Sequence, residues 1–380
     1  MSQEQGQMVH SGDEERADPQ RVALAPRRGR YGNALLLAGS LIVSLLVIEL
    51  GFRVAFGLPV LSLEDWRRER VVYNRLGERG ELDPVVGWTL KPNHHGDGHN
   101  TLDYGIRRNG NETAIRTGEI LAVGDSFTEG WEVDDDDSWP AYLELMSGTP
   151  VVNAGVGGYG TDQIVLRTEQ LLPIVQPKTL IVGFLHFDIY RTAHTHFGAP
   201  KPWFTVENGE LRYHPPAPVE PPQAPNLATR LLDGLRDALS RSAAADYLIA
   251  RLAPNYWYGS GGKREYIKAN NDPVQVTCLL LERLKTKLDE RKIRSILFMQ
   301  YYAPVILQNE QPPADALQVE ACASRLGFEI VDQFASLKAL TRNNPTALRE
   351  LYMVYGETYT HMNGEGNEAA ADLLLKTLRQ

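Results

Sequence analysis

Apolar positions fall into three regimes along the chain. Residues 1–32 are polar and charged, with scattered Gly and Pro and no apolar period, the composition of a disordered tail. Residues 33–58 are almost continuously apolar. Ala34-Leu-Leu-Leu-Ala-Gly-Ser-Leu-Ile-Val-Ser-Leu-Leu-Val-Ile48 carries no charge, and Glu49 and Arg53 then sit one helical turn apart. At 1.5 Å per residue this stretch is long enough to cross a hydrocarbon core of about 30 Å. From residue 118 onward, short apolar runs alternate with amphipathic stretches. Ile120–Val123, Pro150–Asn153, Thr179–Phe184, Ser295–Met299 and Phe328–Val331 read as buried strands,. Helical periods lie between them, as in Asp162–Leu172, Pro273–Arg291 and Pro313–Leu326. Strands separated by helices with right-handed crossovers give a parallel sheet. The expected fold is therefore a flavodoxin-like, three-layer α/β/α domain over residues 118–380, with five parallel strands in the order 2-1-3-4-5.

Two regions break this rhythm. Residues 59–117 hold short strand-like runs between turn formers, such as Asp83-Pro-Val-Val-Gly-Trp-Thr-Leu-Lys-Pro92. They read as an irregular β-rich lead-in packed on the main domain. Residues 199–265 carry a Pro-rich run and then helical patterns. They are too long for a βα loop and follow a strand end, so a helical cap over the crevice is expected. Tyr256, Trp257 and Tyr258 in this insertion suit either the core of the cap or stacking on a sugar or lipid chain. The cap core is the preferred reading.

The apolar segment has three readings. A buried soluble helix would need partners on every face. A cleaved signal peptide would use the small pair Ala55 and Gly57, although the run is long and the tail before it is longer than usual,. The favoured reading is a retained signal anchor at residues 33–58. Arg21, Arg27, Arg28 and Arg30 precede it and hold the tail in the cytoplasm, so the rest of the chain is exported,.

Composition narrows the chemistry. The formal net charge of −9 gives no footprint for nucleic acid,. Cys278 and Cys322, the only two cysteines, rule out a disulfide framework. Both lie in helical patterns and read as small buried apolar groups, with a single bridge left open if the compartment is oxidising. His94 and His95 sit in a Gly/Asn-rich loop without a ligand cluster, and no metal is expected. The run Asp134-Asp-Asp-Asp137 lacks the alternation and central Gly of a calcium loop,. With Ser138-Trp-Pro140 it reads as the capped start of a helix. The Gly-rich loop 154–163 lacks the Lys-Ser/Thr of a phosphate loop,. No cofactor is expected.

What remains is a set of short blocks in order. Gly124-Asp125-Ser126-Phe127-Thr128-Glu129-Gly130 follows the first strand, where a serine on a rigid turn faces the crevice at the sheet's carboxyl edge,. Asn153 is followed by Gly158, and His361 by Asn363 and Gly366-Asn367 before an Ala/Leu-rich terminal helix. This series resembles the GDSL, or SGNH, hydrolases, which are serine esterases and acylhydrolases on a flavodoxin-like sheet. The layout of the lead-in and anchor is also similar to membrane-anchored bacterial members. The resemblance implies Ser126 as nucleophile, His361 as general base, and the Ser126 and Gly158 N–H groups as an oxyanion hole. Asp125, His186, Phe187 and Asp188 are implied near the site.

Two positions depart from the pattern. Phe187 stands where the family has an Asn donor, and His186 is a candidate substitute. Thr358 stands where the family has an Asp three residues before the His. Glu357 is then the candidate orienting acid, with a Ser-His dyad as the alternative. The expectation is an exported single-pass protein of the cytoplasmic membrane, its catalytic domain on the periplasmic side. Its substrate would be an O-acyl group, such as O-acetyl, on an envelope polysaccharide, or a lipid ester. An O-acyltransferase and a weak or inactive scaffold that binds acylated glycan or an export partner are the alternatives.

Overall fold

The computed structural model describes residues 28–55, 60–61, 79–96, 98–197, 199–218, 227–253, 257, 272–344, 346–356 and 358–379. The chain divides into two compact units, Met1–Phe52 and Arg53–Gln380. Helix α1 (Arg28–Ala55) makes up the described part of the first and ends just inside the second. Its Gly32–Ala55 segment is long and apolar enough to cross a membrane, and its leucines and isoleucines are exposed on every face.

The second unit opens with the hairpin β1 (Gly80–Asp83) and β2 (Gly87–Leu90). The central domain then runs β3 (Ile120–Val123), α2 (Ser126–Glu129), α3 (Trp139–Ser147), β4 (Val151–Asn153), α4 (Thr161–Val175), β5 (Thr179–Leu185) and α5 (Phe187–Arg191). The insertion gives β6 (Trp203–Glu207), β7 (Glu210–His214), α6 (Leu227–Leu239) and α7 (Ala243–Leu252). The rest is α8 (Pro273–Glu290), β8 (Arg294–Gln300), α9 (Ala303–Gln308), α10 (Ala314–Leu326), β9 (Glu329–Asp332), α11 (Phe334–Asn343), β10 (Tyr352–Tyr355), β11 (Thr358–Met362) and α12 (Gly364–Leu378).

The main sheet has the order β4-β3-β5-β8-β9, all pairs parallel. In sequence order of its own strands this is 2-1-3-4-5, so β3 sits where the connection direction reverses. The residues of β3 are all buried, as are those of β5 and β8 after their first residue. That two-sided burial is why the strands appear as unbroken apolar runs rather than alternating ones.

Trp88, Leu90, Leu102 and Ile106 of the lead-in share one core with the sheet. Arg107 fixes it further. Its N–H donates to Asn153 O at 2.8 Å, extending the sheet beyond β4. Its buried guanidinium donates to Asp135 Oδ1 and to the carbonyls of Gly98, Glu129, Gly130 and Val133, all at 2.9–3.1 Å. Five bonds from one side chain set the path of the loop after α2. The acidic run 134–137 leads into α3 as a capped start, with Ser138 accepting from Ala141 N and Pro140 in the first turn.

Two features differ from the sequence reading, and Trp257 follows its preferred one. The insertion begins with an antiparallel hairpin, β6–β7, rather than helices alone. It packs on α8, where Arg283 lies over the Phe204 ring, and on the lead-in, where Tyr213 donates to Val85 O. Trp257 is fully buried and donates to Asp246 Oδ1 at 2.6 Å, so it is core rather than a stacking platform; Tyr256 and Tyr258 lie outside the described residues. Cys278 and Cys322 form a disulfide between α8 and α10, with Cα atoms 6.0 Å apart, instead of standing as separate thiols. The facing of two helices on one sheet surface brings them together, and sequence spacing does not encode that.

The bridge closes 44 residues. Replacing both cysteines by Ala is expected to cost about 2–4 kcal/mol in urea unfolding. Alkylation of the unreduced, denatured protein followed by intact-mass measurement should find no free thiol, and two alkylated cysteines would contradict the bridge.

Candidate active site

Strand β3 delivers its serine through a turn that only glycine permits. A Cβ on Gly124 would lie 2.1 Å from Thr128 Oγ1 and 2.5 Å from Gly183 O. Asp125 then caps α2, accepting from Phe127 N at 2.9 Å through Oδ1. Thr128 N and Glu129 N are satisfied by Asp125 O. Ser126 is the first residue of this helix, where an N–H has no partner within the helix.

His361 arrives on β11, one strand of a hairpin that the sequence reading did not anticipate. Its Nε2 is 2.9 Å from Ser126 Oγ. Its Nδ1 is 2.6 Å from Glu132 Oε2. Glu132 also accepts from His361 N at 3.1 Å and from Thr360 Oγ1 at 2.7 Å. Serine, imidazole and carboxylate thus form one chain of contacts. Burial acts to raise the Glu132 carboxyl, but the bonds from the His361 ring, Thr360 and the His361 backbone outweigh it and hold it down at about 2. The carboxylate is ionised across the neutral range, where it fixes Nδ1–H toward itself and leaves Nε2 to accept a proton from Ser126.

This corrects the expected orienting acid. Glu357 lies outside the described residues, and the carboxylate on His361 Nδ1 is Glu132, 229 residues away in sequence. Thr358 is exposed at the start of β11. The loop after α2, held by Arg107, supplies the acid that a position before the His supplies in the family pattern.

Gly158 lies in the loop after β4 with φ +79°. Gly157, the residue before it, is held at both its carbonyl and its N–H. Trp88 Nε1 donates to Gly157 O at 3.1 Å, and Glu129 Oε2 accepts from Gly157 N at 2.5 Å. Glu129 is fully buried, and His99 Nε2 meets its other oxygen at 2.8 Å. In a trans peptide the C=O and the following N–H point in opposite directions. Anchoring Gly157 O on Trp88 therefore turns the Gly158 N–H away from the lead-in. Neither Trp88 nor Glu129 was singled out from sequence, because both act on backbone atoms rather than through a motif.

The third loop behaves differently from expectation. Asp125 and Asp188 do not face the serine hydroxyl. Both are buried on Arg191, whose Nη1 donates to Asp125 Oδ2 at 2.8 Å, Asp188 Oδ1 at 2.6 Å and Tyr159 O at 2.8 Å. Burial, with Asp125 close by, pushes the Asp188 carboxyl well above its ordinary value against the pull of Arg191. His186 is buried, with its ring stacked on Tyr301; burial pushes it down to about 4, so it is neutral at pH 7. Phe187 is 44% exposed. It meets Tyr302 edge-on at 5.5 Å, Tyr302 meets Phe127 at 5.1 Å, and Phe127 lies 5.2 Å from the His361 ring. An apolar aromatic surface thus stands beside the His where the family pattern has an amide. Among the described residues no group of three or more His, Cys, Asp and Glu is placed to hold a metal ion.

No protein-family description matches the chain, and no curated protein does. Solved structures that the chain is similar to at low identity include several described as esterases or acylhydrolases. One is described as a lipolytic protein of the G-D-S-L family from Desulfitobacterium hafniense DCB-2 (14% identity, 68% of this chain and 99% of that chain, TM-score 0.36). Another is an acetyl xylan esterase (12% identity, 68% and 99%, TM-score 0.39). A third is a lipase/acylhydrolase from Enterococcus faecalis (15% identity, 69% and 95%, TM-score 0.37). The site stands on its own distances.

Two substitutions probe this geometry. Glu132→Gln should lower kcat on a p-nitrophenyl ester by about 10³- to 10⁴-fold, as expected for loss of the orienting carboxylate. Because the folded-state value of Glu132 is depressed, its contribution to stability is present above about 4.5 and lost as pH falls through about 2,. The stability gap between wild type and variant should therefore narrow across that window in urea titrations; a gap independent of pH would count against the pairing. Trp88→Phe keeps the ring and removes the donor. It should lower kcat about 10- to 100-fold with KM nearly unchanged, below the full loss of an oxyanion donor. An equal rise in KM would point to substrate binding instead.

Proposed function

We propose that this chain is an exported, membrane-anchored serine ester hydrolase that acts through an acyl-enzyme. The observation that carries the reading is the contact series Ser126 Oγ–His361 Nε2–Glu132, at 2.9 and 2.6 Å. His361 takes the Ser126 proton as Oγ attacks the ester carbonyl. The N–H groups of Ser126 and Gly158 receive the oxyanion. Collapse expels the alcohol, which takes its proton from His361. Water activated by the same imidazole then releases the acid.

Export is supported by the apolar helix with arginines before it and by the disulfide, which persists in oxidising compartments,. In that setting the substrates are O-acyl groups, such as acetyl, on an envelope polysaccharide, or lipid esters. A sugar hydroxyl in place of water would make the same site an O-acyltransferase.

A non-catalytic binding scaffold is the second reading, and one observation favours it. Phe187 occupies the position of a side-chain oxyanion donor, and loss of one such donor typically costs about 10²–10³ in turnover. Hydrolysis of p-nitrophenyl acetate by the full chain in detergent separates the two. The esterase reading expects turnover that Ser126→Ala and His361→Ala each abolish. A folded wild type with no more activity than these variants would leave the scaffold.

A further inference from the structure

Helix α6 (Leu227–Leu239) is divided lengthwise. At 100° per residue, Leu227, Leu231, Leu235 and Leu239 follow one side with Leu232 beside them, and Arg230, Asp233 and Asp237 fall on the other,. The apolar side is bare: Leu227 is 74% exposed, Leu231 66%, and Leu232 and Leu235 53% each. A contiguous leucine face of this kind normally has an occupant.

The occupant is indicated by where the helix ends. Arg53, in the last turn of α1, donates to Val60 O and to Arg241 O, both at 3.3 Å. Arg241 lies two residues beyond α6. The side that follows the apolar helix and the end of α6 therefore meet at one buried guanidinium. Val60 and Leu61, next in the chain, are also exposed. If Gly32–Ala55 crosses a bilayer, Arg53 lies at the end of the span, and the backbone just past the end of α6 is bonded to it. Composition favours lipid over protein. Protein contact centres are enriched in Tyr, Trp and Arg, and Leu is under-represented among their hot spots. An interfacial helix instead shows Leu on one face and charged residues turned to water on the other, as α6 does with Arg230, Asp233 and Asp237,.

We propose that α6 lies along the membrane surface with its leucine face in the acyl–headgroup boundary. It forms a second contact that fixes how the catalytic domain faces the bilayer. The proposal rests on the membrane-anchor reading and is independent of whether the site hydrolyses esters.

The full chain in phosphatidylcholine/phosphatidylglycerol vesicles tests it by spin-label accessibility. Single nitroxides are placed through Leu231→Cys, Leu235→Cys, Asp237→Cys and, as the span control, Ile42→Cys; the native cysteines are bridged and take no label. The expected result is oxygen access exceeding that of a water-soluble nickel complex at 42, 231 and 235, and the reverse at 237. A lipid-like signal at 42 with nickel-accessible labels at 231 and 235 overturns the α6 proposal alone. Labels at 231 and 235 shielded from both reagents overturn it in favour of a protein partner. A water-exposed label at 42 removes the anchor reading and the proposal together.

Discussion

One guanidinium holds the catalytic edge of the sheet together. Arg191 reaches Asp125 in the turn after β3, Tyr159 O in the loop after β4 and Asp188 in the loop after β5. Each of these loops would otherwise be an independent surface segment. A buried cation with two carboxylates is costly unless every charge is paired, and burial shifts Asp188 toward its protonated form. The network is therefore a constraint more than a source of stability. It sets the spacing between the serine turn, the Gly158 loop and the aromatic loop, while leaving the serine hydroxyl itself free for His361.

A second buried arginine does the same for the acid. Arg107 collects carbonyls from Gly98, Glu129, Gly130 and Val133, and so shapes the loop that carries Glu132. The lead-in is thus part of the site's support: Arg107 sets the acid loop, Trp88 sets the Gly157 carbonyl, and His99 braces Glu129. An acid supplied from beside the nucleophile, rather than from beside the histidine, also accounts for Thr358. Position 358 needs no carboxylate when Glu132 already accepts from both the ring and the backbone of His361.

The parts that local sequence encodes were legible. Buried strands are unbroken apolar runs, so the sheet and its order could be read, as could Ser126 at the carboxyl end of β3 and His361 ahead of the capped helix α12. The missed contacts at the site depend on distant segments meeting. Glu132 and His361 are 229 residues apart, and Trp88 and Gly157 are 69 apart. The β6–β7 hairpin escaped because its strands are mostly partly exposed, without the apolar run that marks the central strands. Asp125 and Asp188 were legible as near-site residues but not as partners of Arg191, since a carboxylate beside a serine looks the same whether it serves chemistry or structure.

The most direct measurement is covalent. The purified full chain is treated with a fluorophosphonate, digested and mapped by mass spectrometry. The account predicts a single phosphonylated residue, Ser126, with labelling that falls away in Glu132→Gln as well as in His361→Ala. A folded wild type that takes no label, or takes it at another serine, would contradict the assignment of Ser126, His361 and Glu132 as one catalytic unit.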